Sequence, residues 1–329
     1  MRGAKVIWRW LAIASSLIGL APIVVVAGQQ RPTFRVGVDL VTVDVSVTRG
    51  GRPVSGLTLD NFIVFDNGVR QRLEGLIVEQ DQPSAASTRT SSPGTAPSGA
   101  VPLDAVLVLD TSGSLAGNRL SQLKTAAGAF LDGLSPLDRL ALITFSHQIF
   151  VRCPLTADRS AVRGVLSFAD SRGTTALYNA TYVALRLAQP GERRVVAVVF
   201  TDGLDNASWL SQDRVVDAAT RFNVIIYGVT LSDDVLPAYV SPANVIKVEN
   251  QSSCKFLRSA SETTGGRLFP AATGDKLRDA FARVLQDIRA RYLLRYSPDR
   301  ITPGWHKLEV RLQGTKGEVT ARRGYFVER

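Results

Sequence analysis

Cysteine and histidine are scarce in this chain of 329 residues, with two of each. Two cysteines, Cys153 and Cys254, cannot form a disulfide framework, and neither has the C-x-x-C partner that redox chemistry would need. They read as two small hydrophobes. His147 follows an apolar run and reads as a surface or loop-capping residue; His306 is the other histidine. No G-x-S-x-G elbow and no G-x-x-x-x-G-K-[ST] loop is present, which removes the usual serine hydrolase and nucleotide-phosphate signatures. The formal net charge is +10, yet the sequence has no run of five or more basic residues. Scattered basic residues such as Arg186, Arg214 and Arg283 suit a solvated surface, and no nucleic-acid motif accompanies them. Beyond the N-terminus no apolar stretch approaches the roughly 20 residues of a membrane span.

What is present is a globular composition, 45% hydrophobic and 21% charged. The length allows a main core of roughly 150–200 residues and a smaller companion. Arg2, Lys5 and Arg9 open the chain, and an apolar stretch runs from Trp10 to Ala27. Val25-Val26-Ala27 satisfies the small-residue rule for cleavage, so residues 1–27 read as an export signal. The expected location is periplasmic or secreted; left uncleaved, the segment would act as a membrane anchor.

Residues 28–80 read as a β segment. Val41, Val43, Val45 and Val47 alternate with polar neighbours, and Asn67-Gly68 marks a hairpin. A Ser-, Pro-, Thr- and Gly-rich stretch at 81–102 reads as a flexible linker. Residues 103–290 alternate buried-type strands with amphipathic helices. The strands are expected at Leu103–Leu109, Arg139–Phe145, Val195–Phe200, Val224–Val229 and Val245–Val248. The helices are expected at Leu120–Leu134, Arg159–Phe168, Leu177–Ala188, Gln212–Phe222, Cys254–Thr264 and Asp275–Arg289. This predicts an α/β fold with a doubly wound, mainly parallel sheet, which binds ligands at the carboxyl ends of its strands. Residues 291–329 return to β. Neither terminal β segment is large enough to cover its own apolar face, so 34–79 and 291–327 are expected to share one immunoglobulin-like sandwich with the α/β domain inserted between them.

Asp110 ends the apolar run Leu107-Val108-Leu109, and Ser112 and Ser114 follow with Gly113 between them. A carboxylate and two alternate hydroxyls on a tight loop suit a hard divalent cation, which prefers oxygen ligands. Two further loops have matching composition: Gly173-Thr174-Thr175 before a helix, and Thr201-Asp202-Gly203 after the strand Val195–Phe200. Taken singly, a strand-ending Asp is often a helix cap and Thr-Asp-Gly a turn. Asp205-Asn206 after the third loop either supports the ligands from behind or simply turns the chain, and the turn is the favoured reading.

The three loops together resemble the von Willebrand factor type A family and its metal-ion-dependent adhesion site. Asp110, Ser112 and Ser114 match the first family loop. Thr175 matches the second, where Thr174 replaces the usual second Gly, and Asp202 matches the third. The flanks around Gly51–Thr58 and Ala321–Phe326 are similar to exported bacterial relatives of that family. The resemblance implies a non-enzymatic, metal-dependent protein-binding module of the adhesion type. Its cation would be Mg²⁺, or another divalent ion such as Mn²⁺ or Ca²⁺, and a partner's Asp or Glu carboxylate would complete the coordination. A structural module whose metal only holds the loops is the alternative, and a metal-assisted hydrolase a third. Asp110 as a phosphoryl-accepting nucleophile is disfavoured because Ser112 stands where such enzymes of the haloacid dehalogenase type carry a second Asp. The family's sheet order, 3-2-1-4-5-6, implies that the two cysteines lie near opposite edges, about 24 Å apart. That is too far for a disulfide, whose Cα atoms lie within about 7 Å.

Overall fold

The computed structural model describes residues 40–79, 101–188, 193–203, 205–231, 245–271, 273–298 and 300–328, with the backbone alone at 245–253. The expected signal or anchor at 1–27, and the linker at 81–102 apart from its last two residues, lie outside the described residues.

In chain order the first strands are β1 (Val41–Arg49), β2 (Arg52–Pro53), β3 (Phe62–Asp66), β4 (Val69–Gln71) and β5 (Leu73–Val78). The α/β region follows: β6 (Leu103–Asp110), α1 (Asn118–Asp132), β7 (Arg139–Phe145), β8 (Ile149–Thr156), α2 (Arg159–Ser167), α3 (Leu177–Leu187) and β9 (Arg194–Thr201). It continues through α4 (Gln212–Phe222), β10 (Ile225–Leu231), α5 (Val245–Thr264), β11 (Leu268–Ala271) and α6 (Leu277–Arg289). The chain closes with β12 (Arg291–Tyr296), β13 (Gly304–Leu312), β14 (Glu318–Ala321) and β15 (Gly324–Val327).

The central sheet runs β11-β10-β9-β6-β7-β8, which is the order 3-2-1-4-5-6 in chain sequence. Its pairs are parallel except β7–β8, which is antiparallel. Every residue of β6 is buried, as a central strand covered on both faces requires. One face packs on α1, α2 and α6 through Phe130, Leu166 and Phe281. The other packs on α3, α4 and α5 through Leu185, Val215 and Phe256.

Two details differ from the sequence reading. Val245–Val248 is the first turn of α5 and not a strand. The sixth strand is instead β11, and an edge strand, β8, lies beyond β7. Cys153 sits on β8 itself and Cys254 on α5; both are free thiols.

The terminal segments form a sandwich. One sheet has the order β14-β1-β12-β5, with β2 paired to β1, and the other is β15-β13-β3-β4. Each sheet draws strands from both ends of the chain. Val43, Val45 and Val47 of β1 pack between the sheets with Phe62, Val64, Leu294 and Leu308. The polar face of β1, predicted to meet water, is covered as well: Ser46 and Thr48 are buried.

That face meets the base of the α/β region through charge. Arg291, fully buried, donates to Asp44 at 2.9 Å, to Asp287 at 2.9 Å and to the Gly265 carbonyl at 2.7 Å. Ser46 and Tyr227 also donate to Asp287, each at 2.8 Å. Burial alone would raise the Asp287 carboxyl, but Arg291 and these hydroxyls outweigh it and hold the group below the usual carboxylate range. Glu79, at the end of β5, takes ion pairs from Arg194 and Arg289, and Arg289 also pairs with Asp138.

Candidate metal centre

The carboxyl ends of β6 and β9, the loop after α2 and the first residues of α3 converge at the end of the sheet opposite this junction. Asp110 is the last residue of β6 and is fully buried. Its Oδ1 accepts the Ser112 backbone N–H at 2.8 Å, and its Oδ2 accepts the Thr201 hydroxyl at 2.6 Å. Ser112, also buried, places its Oγ 3.1 Å from the Ser114 Oγ. Ser114 in turn donates to Asp202 Oδ1 at 2.9 Å. Four of the five residues singled out from the sequence are thus joined through short contacts, with Thr201 as the link from Asp110 to the third loop.

Thr175, the fifth, is buried, whereas its neighbour Thr174 is exposed. The backbone of Thr175 ties the second loop to the third. Its N–H donates to Asn206 Oδ1 at 2.8 Å, and its carbonyl accepts the N–H groups of Asn206 and Ala207 at 3.0 Å each. The second loop is tied to the first as well: Gly113 N–H donates to the Gly173 carbonyl and Arg172 N–H to the Thr111 carbonyl, both at 2.9 Å. Gly173 has φ +78°, and a Cβ there would lie 2.3 Å from His147 Nδ1. The glycine is therefore required twice, by its backbone conformation and by the exposed imidazole laid against it.

Several contributors escaped the sequence reading. Thr201 holds Asp110, and Arg119 lies 3.7 Å from Asp202. Asp205 and Asn206 do more than turn the chain. Asp205 accepts the Tyr178 N–H at 2.9 Å, capping the start of α3 from a distant loop, and also binds Ser208. A side chain that caps another segment leaves no local spacing signal; only the clustering of Asp and Asn after the third loop hinted at it.

The electrostatics suit a cation. Burial, reinforced by the nearby Asp202 charge, pushes the Asp110 carboxyl up to about 7. Buried Asp110 and the neighbouring Asp202 repel each other when both are charged, and a divalent cation would relieve that repulsion. Among the described residues no three His, Cys, Asp or Glu side chains gather at one point. A cation here must therefore use hydroxyl oxygens beside its carboxylates, which is the donor set Asp110, Ser112, Ser114, Thr175 and Asp202 offer. All five donate oxygen, as Mg²⁺, Mn²⁺ and Ca²⁺ prefer.

Comparison with known proteins matches residues 105–204 to the model of the von Willebrand factor type A domain. All five candidate residues fall inside that span. An uncharacterized Synechocystis protein is 27% identical over 230 residues, covering 67% of this chain and 53% of the relative. Inter-alpha-trypsin inhibitor heavy chain H4 of Bos taurus is 28% identical over 116 residues, covering 31% of this chain and 13% of its own length. The chain thus spans about half the length of the first relative and far less of the second. Among solved structures, the von Willebrand factor type A protein from Catenulispora acidiphila is 14% identical with a TM-score of 0.49, covering 84% of this chain and 73% of that one. Over residues 105–204, the chain is thus similar to the von Willebrand factor type A domain family.

Proposed function

We propose that this protein is a non-enzymatic binding module that acts outside the cytoplasm. It would recognise a protein partner by an Asp or Glu carboxylate presented to a divalent cation, Mg²⁺ first among the candidates. Asp110, Ser112, Ser114 and Thr175 would hold the ion, with Asp202 beside it, directly or through water. When bound, such an ion supplies a hard, Lewis-acidic centre for an anionic oxygen. The placement outside the cytoplasm rests on the basic start and apolar stretch of residues 1–27.

One observation carries the reading: Asp110, Ser112, Ser114 and Asp202 are joined by short contacts, and the loop that carries Thr175 is bonded through its backbone to both of theirs. The bonds Gly113–Gly173, Arg172–Thr111 and Asn206–Thr175 tie the three loops together through their backbones. This supports a recognition role for the ion over one confined to holding the loops. Among the described residues the neighbourhood also offers no imidazole poised as a general base: His147 lies against Gly173, with its Nδ1 3.5 Å from the Ser146 hydroxyl.

Calorimetry with Mg²⁺ tests the ligand set. Asp110→Ala should abolish binding, because it removes a buried charged ligand, and Thr175→Ala should weaken it more than Thr174→Ala. A stronger effect at Thr174 would overturn the placement of the second loop. Chelation should leave the protein folded, seen as a persistent cooperative thermal transition; unfolding on chelation would support the structural role instead.

A further inference from the structure

Two aromatic side chains at this end of the sheet remain unexplained. Among the described residues, the most exposed large hydrophobics are Phe168, at 86%, and Trp209, at 80%. Exposed single apolar residues are ordinary, but the position and mounting of these two are not. Phe168 directly follows α2, on the loop that leads to Thr175, and α2 covers one face of the sheet. Trp209 lies on the loop from β9 to α4, and α4 covers the opposite face. Phe168 thus opens the loop that carries Thr175, and Trp209 follows Asp202 on the third loop, so each adjoins one of the candidate ligand loops along the chain.

The backbone around Trp209 is held firmly. Before it, Ser208 donates to Asp205 through both its N–H, at 3.1 Å, and its hydroxyl. After it, the Leu210 N–H donates to Asn179 Oδ1 at 3.1 Å, and the Leu210 side chain packs into the core. An indole projected into water from a clamped backbone loses little conformational freedom on binding, which is how aromatic anchors act at interfaces. Phe168 is placed similarly. The Ala169 N–H donates to the Leu166 carbonyl at 3.2 Å, and Lys124 Nζ donates to the Ser167 carbonyl at 2.8 Å. The rim between them carries the cations Arg119 and exposed Arg172.

We infer that Trp209 and Phe168 are specificity anchors flanking the metal position, and that the partner is an extended acidic segment with apolar side chains on both sides of its carboxylate. This rests on the carboxylate reading above and adds what it lacks: a reason for this chain to prefer one acidic segment over another. The cation fixes the carboxylate, with exposed Arg172 adding positive charge beside it. The aromatics select its neighbours, with Trp209 the stronger of the two.

Three labelled heptapeptides of defined sequence test this against the full chain by fluorescence anisotropy in Mg²⁺. One has a central Asp with leucines at both ends, one has the same Asp with serines, and one has the leucines around a central Asn. The leucine–Asp peptide should bind about tenfold more tightly than the serine–Asp peptide, and chelation should abolish its binding. Trp209→Ala should remove the leucine preference and Trp209→Phe should keep most of it. Phe168→Ser should reduce it, and Val69→Ser, at an exposed apolar residue of β4 in the sandwich, should leave it unchanged. Mg²⁺ calorimetry should be the same in all four variants. If the two Asp peptides bind equally yet both exceed the Asn peptide, the anchors are refuted and the carboxylate reading stands. If the leucine–Asn peptide binds as well as the leucine–Asp peptide, the carboxylate reading fails and this inference falls with it. Both of these outcomes are measured on the unaltered chain, so neither depends on a variant that folds poorly.

Discussion

At the scale of single residues, Asp110 carries an electrostatic cost in the folded, metal-free protein. An ordinary carboxyl titrates near 3.9, whereas burial and the neighbouring Asp202 push this one up to about 7. Between those values the folded, metal-free protein holds a proton that the unfolded chain has released. The contribution of Asp110 to metal-free stability is therefore most favourable at and below the lower value and declines as pH rises toward 7. Asp110→Asn keeps an acceptor for the Ser112 N–H and lets the Thr201 hydroxyl turn to accept. Measured by calorimetric melting in chelator at neutral pH, it should raise Tm by roughly 5 °C, and it should abolish the Mg²⁺-induced gain in Tm expected of the unaltered protein. A fall in Tm in chelator would mean that the charge at Asp110 is not a cost to the fold. Asp287 shows the opposite sign. Its carboxyl is held low, so its contribution is complete at neutral pH and is lost only as pH falls through its depressed folded value.

At the scale of elements, the second loop depends on one glycine. Gly173→Ala should destabilise the protein by about 1–3 kcal/mol and weaken Mg²⁺ binding through Thr175. His147→Ala on the same background should recover part of the loss, because it removes the clash but not the unfavourable φ. Denaturant unfolding of the single and double variants gives the comparison, and no recovery would mean that the imidazole moves aside freely. The elements were legible in proportion to the regularity of their pattern. Arg139–Phe145 and Gln212–Phe222 coincide with their sequence reading because each is bounded by clear polar or turn residues. Val245-Ile246-Lys247-Val248 suggests a strand because three apolar residues in four fit a strand and a helical turn equally well. β8 was missed for a different reason: its burial does not alternate cleanly, and Pro154 within it is tolerated because β8 is an edge strand. The carboxylates and hydroxyls of the candidate site stand out in the sequence because Asp110, Ser112, Ser114 and Asp202 end strands or follow them on short loops. Arg119, Thr201 and Asn206 do not, because each reaches its partner across the fold.

At the scale of the molecule, the ionic junction makes the sandwich and the α/β region mutually dependent. Residues 103–290 alone would lose Asp44, Glu79 and Arg291, leaving Arg194 and Asp287 short of partners in a buried setting. Removing one side of a buried pair typically costs about 3–5 kcal/mol, so this fragment should unfold at far lower denaturant than the full chain or fail to fold. Residues 28–82 alone should be unfolded or aggregated, and supplying 291–329 should restore β structure by circular dichroism, since β1 lies between β12 and β14. Cooperative unfolding of 28–82 by itself would refute this dependence. The sequence exposed the need for a shared sandwich through its two uncovered apolar faces, but not the charged junction, whose partners lie as far apart as Asp44 and Arg291. The nesting also has a mechanical side. β1 and β15 both belong to the sandwich, and the α/β domain is looped out between β5 and β12. A pull applied between β1 and β15 is carried by the hydrogen-bonded ladders and apolar core of the sandwich. The domain bearing Asp110 stays out of the line of tension until those ladders shear, so the geometry of the candidate metal centre is insulated from a load applied between those strands.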